Sequence, residues 1–300
     1  MTIVMEQVAV LMLFGVIGFV LQKTGIVEGE HTKLLSTLCV YVFLPCQVFR
    51  TFANNFTPVY LTEKYILVLT GGAVLLILMV AAHFVSKVFT KDTFQQSVIQ
   101  YSMITPNYGY IGYAMAEGVF GTTMLLNFMM VSLPVALYTY TIGFCMLTKR
   151  KLTARRLLNP VTIAMGLGAV VGLLQIPLPN MVNTVLSKGA ACASPLGMIL
   201  TGTVIARFSF KTMLGKKLVY LLTALRLLAI PLLAGFGLRL LGLEQCLIPL
   251  VLLLCMPCGV NTVVFPKLIG EDCETGAALA FVTNILCCGT IPLVFYIFGI

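Results

Sequence analysis

Apolar residues in this chain run in blocks of roughly twenty, the length needed to span a ~30 Å hydrocarbon core, and short polar breaks separate them. Read in order, the pattern predicts ten helices. The first covers Glu6 to Gln22 and ends in a polar turn, Lys23 to Thr32. The second, Lys33 to Phe52, contains Pro45 and gives way to a loop at Asn54, Asn55 and Pro58. The third runs from Tyr65 to Phe89, the fourth from Phe94 to Val119 and the fifth from Met124 to Leu147. After Lys149 to Arg156 come a sixth, Pro160 to Leu174, and a seventh, Met181 to Ala206. The eighth (Leu218 to Leu241), ninth (Gln245 to Leu268) and tenth (Gly276 to Phe298) complete the set. The expected fold is therefore an all-α integral membrane protein with ten transmembrane helices.

Basic residues test that topology, because Lys and Arg collect on the cytoplasmic side of a membrane. With the N-terminus outside, the inner loops hold Lys23, Lys33, Lys87, Lys91, Lys149, Arg150, Lys151, Arg155, Arg156, Arg207, Lys211, Lys216, Lys217 and Lys267. The outer side holds Arg50, Lys64, Lys188 and Arg239. An error of one span in either half would scramble this bias, so both termini are expected outside a plasma membrane.

The blocks also repeat. The second and seventh each carry an internal proline, Pro45 and Pro195, read as helix breaks or kinks; the fifth and tenth carry Pro134 and Pro292. The fourth and ninth each have proline followed by small or polar residues. Residues 1–148 and 160–300 are therefore read as two five-helix repeats joined by a basic cytoplasmic loop, 149–159. Five is odd, so the second copy enters the membrane inverted, an arrangement common among secondary transporters.

Composition agrees: 59% of the 300 residues are hydrophobic and 10% charged, against about a quarter charged in soluble domains. The first apolar run is preceded by Glu6 rather than basic residues, so it reads as a retained span and not a signal peptide. The net charge of +9 lies in the loops, where orientation accounts for it, and no nucleic-acid partner is expected. Most of the ten cysteines sit in apolar runs as small hydrophobes, which argues against a disulfide framework.

The candidate chemistry lies at two interruptions. Met103-Ile104-Thr105-Pro106-Asn107-Tyr108-Gly109-Tyr110-Ile111-Gly112 falls midway along the fourth run, and Cys255-Met256-Pro257-Cys258-Gly259-Val260-Asn261-Thr262 along the ninth. Proline removes a backbone donor and disfavours helix before it. Hydrocarbon cannot satisfy the freed groups, so a broken span needs a reason. Each break exposes the start of a second half-helix, with free N–H groups and about half a positive charge. Two such ends near the midplane favour a carboxylate without a buried lysine. The expected substrate-binding residues are Thr105, Pro106, Asn107, Tyr108 and Gly109 from the first break and Pro257, Cys258, Gly259, Val260 and Asn261 from the second. Arg226, deep in the eighth run, is read as structural support between helices or as an attraction for the anion.

Pro106 to Gly112 followed by Gly118-Val119-Phe120-Gly121 resembles the first crossover segment of the auxin efflux carrier family, which includes plant PIN carriers and bacterial malate and malonate permeases. Pro257-Cys258-Gly259-Val260 resembles its second crossover, and Pro45 and Pro195 fit its pattern. The resemblance implies ten spans in a scaffold domain and a transport domain, related in fold to bile-acid sodium symporters. The fourth and ninth spans would cross at the substrate site, with Asn107 among the ligands of an organic anion. Many plant members have a long hydrophilic central loop, which this chain lacks, so regulation through it does not carry over.

Other motifs add little. The C-x-x-C at Cys255 to Cys258 lies inside a span rather than at a soluble redox site. His31 and His83 form no metal-ligand pair, no phosphate-binding loop signals an ATP-driven pump, and no metal site is expected. Gly15, Gly18, Gly166, Gly168 and Gly172 read as helix-packing positions. No catalytic constellation appears, so an enzyme is not expected. No cofactor is expected either, and with no carboxylate deep in a span a proton relay is disfavoured, while Na+ or H+ coupling stays open. The expected function is alternating-access transport of a small organic anion, a mono- or dicarboxylate such as malate or malonate. The alternatives are a sodium-coupled symporter of a larger organic anion and a non-transporting membrane ligand sensor. The partners are the substrate and the lipid bilayer; a homodimer stays open.

Overall fold

Without water to receive unpaired N–H and C=O groups, a chain in lipid closes its backbone hydrogen bonds within helices. The computed structural model describes residues 2–149, 151, 158–209, 214, 215, 217–267, 269–271 and 273–300, and among them the regular structure is all helical. We number the helices α1 (Thr2–Lys23), α2 (29–55), α3 (Pro58–Phe89), α4 (Thr93–Ile104), α5 (108–120) and α6 (122–148). The rest are α7 (Pro160–Leu173), α8 (Asn180–Ile205), α9 (217–240), α10 (Glu244–Cys255), α11 (Asn261–Lys267) and α12 (Glu274–Phe298). Seven of these, α1, α2, α3, α6, α8, α9 and α12, are long and apolar enough to cross a membrane; α7 and α10 are shorter apolar helices.

The predicted fourth and ninth runs are each two helices, α4 with α5 and α10 with α11, interrupted where the prolines stand. The loop predicted at Asn54, Asn55 and Pro58 is smaller than expected. Both asparagines belong to the last turn of α2, and α3 begins at Pro58 rather than Tyr65. Thr57 caps it by accepting from the Tyr60 N–H at 3.1 Å, and proline suits a first helical position because that N–H has no partner in any case. Much of the basic stretch in 149–159, including Arg150, Arg155 and Arg156, lies outside the described residues, as do Lys211 and Lys216.

Among the described residues, four helices contain one wide π-turn each: Cys39–Phe43 in α2, Tyr108–Gly112 in α5, Thr139–Gly143 in α6 and Leu225–Ala229 in α9. Two of them end two residues ahead of a proline, Pro45 and Pro231, whose ring would clash with the preceding turn of a regular helix. Pro195, expected as the counterpart of Pro45, sits inside α8 with no break in the helix.

Packing separates the helices into two groups. In one, α1 lies along α8, α2 along α7, and α2 crosses α8. In the other, α3 packs on α4 and α6, α9 packs on α10 and α12, and the broken helices fill the middle. Glycine sets the spacing in the first group. A Cβ on Gly18 would stand 2.0 Å from the Ile199 carbonyl oxygen, and one on Gly202 would stand 1.9 Å from that of Gly15. A Cβ on Gly168 or Gly172 would likewise stand 2.7 or 2.5 Å from the Phe49 or Phe52 carbonyl oxygen of α2. These contacts match the packing role expected for Gly15, Gly18, Gly168 and Gly172, whereas Gly166 faces open space.

Gly202→Val should therefore push α1 off α8 and cost about 1–3 kcal/mol, while Gly166→Val should be near neutral. The check is the thermal unfolding midpoint in detergent. A thiol-reactive dye can follow it, because the chain has ten cysteines and no tryptophan.

Candidate functional site

Pro106 has no N–H to give to Ser102, and Pro257 has none to give to Leu253, so each proline leaves a carbonyl without its helical donor. Just before each proline the chain extends instead of coiling, with Thr105 at φ −100°, ψ 106° and Met256 at φ −66°, ψ 141°. The two extended stretches meet. Pro106 and Cys258 form an isolated antiparallel bridge. The Asn107 N–H donates to the Pro257 carbonyl at 2.8 Å, and the Gly259 N–H donates to the Thr105 carbonyl at 3.4 Å. Each break thus supplies the partners that the other has lost.

The remaining groups are taken up by side chains. The Cys258 thiol donates to the Ser102 carbonyl at 3.3 Å. The Cys258 N–H donates to Thr283 Oγ1 at 3.0 Å, and that hydroxyl donates back to the Leu279 carbonyl at 2.6 Å within α12. Arg226, 2% exposed, donates through Nη1 to the Met103 carbonyl and through Nη2 to the Met256 carbonyl at 3.2 Å.

A cavity of about 440 Å³ lies against this crossing. Thr105, Pro106, Asn107, Tyr108 and Gly109 line it from the first break, and Gly259, Val260 and Asn261 from the second. It lies between the two helix groups. Ser36, Thr37, Val40, Tyr41 and Leu44 of α2, Val161 of α7 and Leu200 of α8 form one wall. Tyr113, Tyr140, Phe144, Val264 and Phe265 stand across from them. The lining extends toward the end of the bundle where α2 and α7 begin and α6 and α11 finish, which is also the end bearing Lys33, Lys149 and Lys267.

Eight of the ten residues expected at the site therefore share one cavity. Pro257 and Cys258 do not line it; both are buried behind it, where their backbone and thiol hold the crossing. Arg226 is not in the lining either, and it reaches the breaks from behind. Pro45 and Pro195 stand away from the lining, but their helices meet: a Cβ on Gly189 of α8 would fall 2.9 Å from Cys46 Sγ of α2.

Chemically the cavity offers donors and aromatic surface. Asn107 is 4% exposed and its Nδ2 has no hydrogen-bond partner among the described residues. The Ile111 and Gly112 N–H groups both donate to the Asn107 carbonyl, at 3.3 and 3.1 Å. The N–H groups ahead of them open α5 without an acceptor inside the helix. Phe265 anchors an aromatic wall, with ring centroids 5.0 Å from Phe144, 6.0 Å from Tyr101 and 6.4 Å from Tyr140. Among the described residues, no Asp, Glu, Lys, Arg or His lies in the lining.

Thr283 and the wall residues Tyr41 and Tyr140 were not expected from the sequence. Thr283-Asn284 and Thr139-Tyr140-Thr141 are polar pairs and triplets inside apolar runs, and that is the signal that would have marked them.

Comparison with known proteins gives the same direction. A family model described as "Membrane transport protein" matches residues 3–153 and 144–296. An uncharacterised transporter of Methanocaldococcus jannaschii is 28% identical over 119 residues, covering 39% of this chain and 38% of that relative. The match thus spans well under half of the relative's length.

Thr283→Val should leave the buried Cys258 N–H without an acceptor and cost about 1–3 kcal/mol. The unfolding midpoint in detergent reads that loss, and Thr283→Ser should keep most of the stability.

Proposed function

The chain belongs to the membrane transport protein family, and from that premise we propose that it is a secondary transporter carrying a small organic anion by alternating access. The observation that carries the reading is the crossing itself. An unpartnered amide of Asn107 and the open start of α5 face a cavity bounded by two separately packed helix groups. A helix start and a neutral amide select a carboxylate by hydrogen bonds and partial charge, and they demand no counter-ion inside the membrane.

In this reading the helices make ten crossings in two inverted repeats, α1–α6 and α7–α12. The packing supports it, because the first helix of each half lies along the second helix of the other, α1 with α8 and α2 with α7. The four-helix group acts as the scaffold and the group holding the breaks as the transport unit. The bias of Lys and Arg supports a topology with both termini outside a plasma membrane. The cavity, which extends toward the basic face, then belongs to an inward-facing state.

The walls bear on the substrate. One donor cluster at Asn107 and α5 serves one carboxylate, and the rest of the lining is mostly tyrosine, phenylalanine and aliphatic, with Ser36, Thr37, Thr105 and Asn261 as its other polar side chains. A monocarboxylate with an apolar body suits this better than malate or malonate, whose second carboxylate would find no charged partner among the described lining residues. The volume lies within the range of small-molecule sites, roughly 300–1,000 Å³.

Uptake of labelled mono- and dicarboxylates into proteoliposomes tests the reading. Saturable uptake is expected, with monocarboxylates preferred. If no organic anion moves under any ion gradient or voltage, the transport reading is wrong. Asn107→Ala should raise KM by about tenfold, the worth of one hydrogen bond to a charged group, and leave the unfolding midpoint near that of the wild type. An unchanged KM removes Asn107 from the substrate's ligands.

A further inference from the structure

Arg226 bonds to the kind of group that holds a coupling ion in other broken-helix transporters. In those proteins unwound carbonyls and the C-terminal ends of half-helices coordinate Na+ or H+. Here α4 and α10 are the half-helices that end at the crossing, and each such end carries about half a negative charge. One guanidinium bonds to both ends, to Met103 near the end of α4 and to Met256 at the end of α10. Two ends of about −0.5 each amount to about one negative charge, which the single positive charge of Arg226 neutralises.

Three further features fit that role. The π-turn Leu225–Ala229, just ahead of Pro231, carries Arg226 on a widened stretch of α9. No Asp or Glu among the described residues is buried, so no acidic side chain at the crossing is left to hold another cation. The planar fork of arginine also reaches two separate carbonyls at once, which a spherical ammonium does less well.

We propose that Arg226 is a built-in cation that replaces a coupling ion at the crossing. It is a positioning residue that joins the ends of α4 and α10, and the protein moves its anion without Na+. This rests on the transport reading above for the substrate but not for the site.

The test has two arms. In the first, uptake by the reconstituted wild-type protein is measured with K+ or N-methyl-D-glucamine replacing Na+ at equal ionic strength. Rates within about twofold of one another are expected, and a loss of about tenfold or more (~1.4 kcal/mol) without Na+ overturns the proposal. In the second, Arg226→Ala and Arg226→Lys are compared in detergent and in proteoliposomes. Arg226→Ala should lower both the unfolding midpoint and uptake, and millimolar methylguanidinium should restore them while urea, its uncharged analogue, should not. A wild-type-like Arg226→Ala protein, or equal rescue by urea, overturns the proposal. Should Arg226→Ala fail to fold, Arg226→Lys carries the comparison: it should fold and stay indifferent to Na+, and a requirement for Na+, or failure of this variant to fold as well, counts against the built-in cation. Rescue of the unfolding midpoint needs no substrate. A protein that transports no carboxylate therefore sinks the transport reading while leaving this site measured.

Discussion

Everything at the centre of this molecule follows from one requirement: main-chain polar groups freed where a helix breaks in lipid need partners. Two breaks brought together solve it jointly. Asn107 gives its N–H to Pro257 and Gly259 gives its N–H to Thr105. The carbonyls and the amide left over go to Arg226, Cys258 and Thr283. Either break alone would leave several buried groups unsatisfied, each costing about 1–3 kcal/mol. The crossing is therefore cooperative: the first break is stable because the second is there.

The same requirement explains the division of labour between the two helix groups. In the group without breaks, backbones approach closely through Gly18, Gly202, Gly168 and Gly172, and long stretches of α1 and α2 face outward. In the other group the broken helices sit at the centre, and α10 is buried from Pro249 to its end at Cys255. A cavity between a zipped panel and a hydrogen-bonded core can change its opening by relative movement of the two, because neither has to come apart internally.

Much of this was legible in the residues. Helix positions came from apolar run length, and the two breaks came from proline beside threonine, asparagine and glycine. What the sequence could not give was reach across the chain. Nothing local says that Arg226 finds Met103 and Met256, or that Thr283 caps Cys258, because those contacts join helices far apart in sequence. The same limit explains Pro257 and Cys258, which belong to the break by sequence but turn away from the cavity once the bridge to Pro106 forms. The start of α3 was misjudged for a different reason. Glu63 and Lys64 looked like loop, yet a capped helix tolerates charged residues in its exposed first turns.

The crossing is held by a main-chain bridge between Pro106 and Cys258 and by Arg226, Cys258 and Thr283, three residues that do not line the cavity. The side chains lining the cavity are therefore largely relieved of holding the architecture together. Residues such as Tyr140, Phe144 and Val260 can be exchanged for others of suitable size while the frame stays in place. A fold of this kind separates its heritable scaffold from its chemical preference, so that one lineage can acquire new cargoes through a few lining substitutions without first reinventing how it spans the membrane.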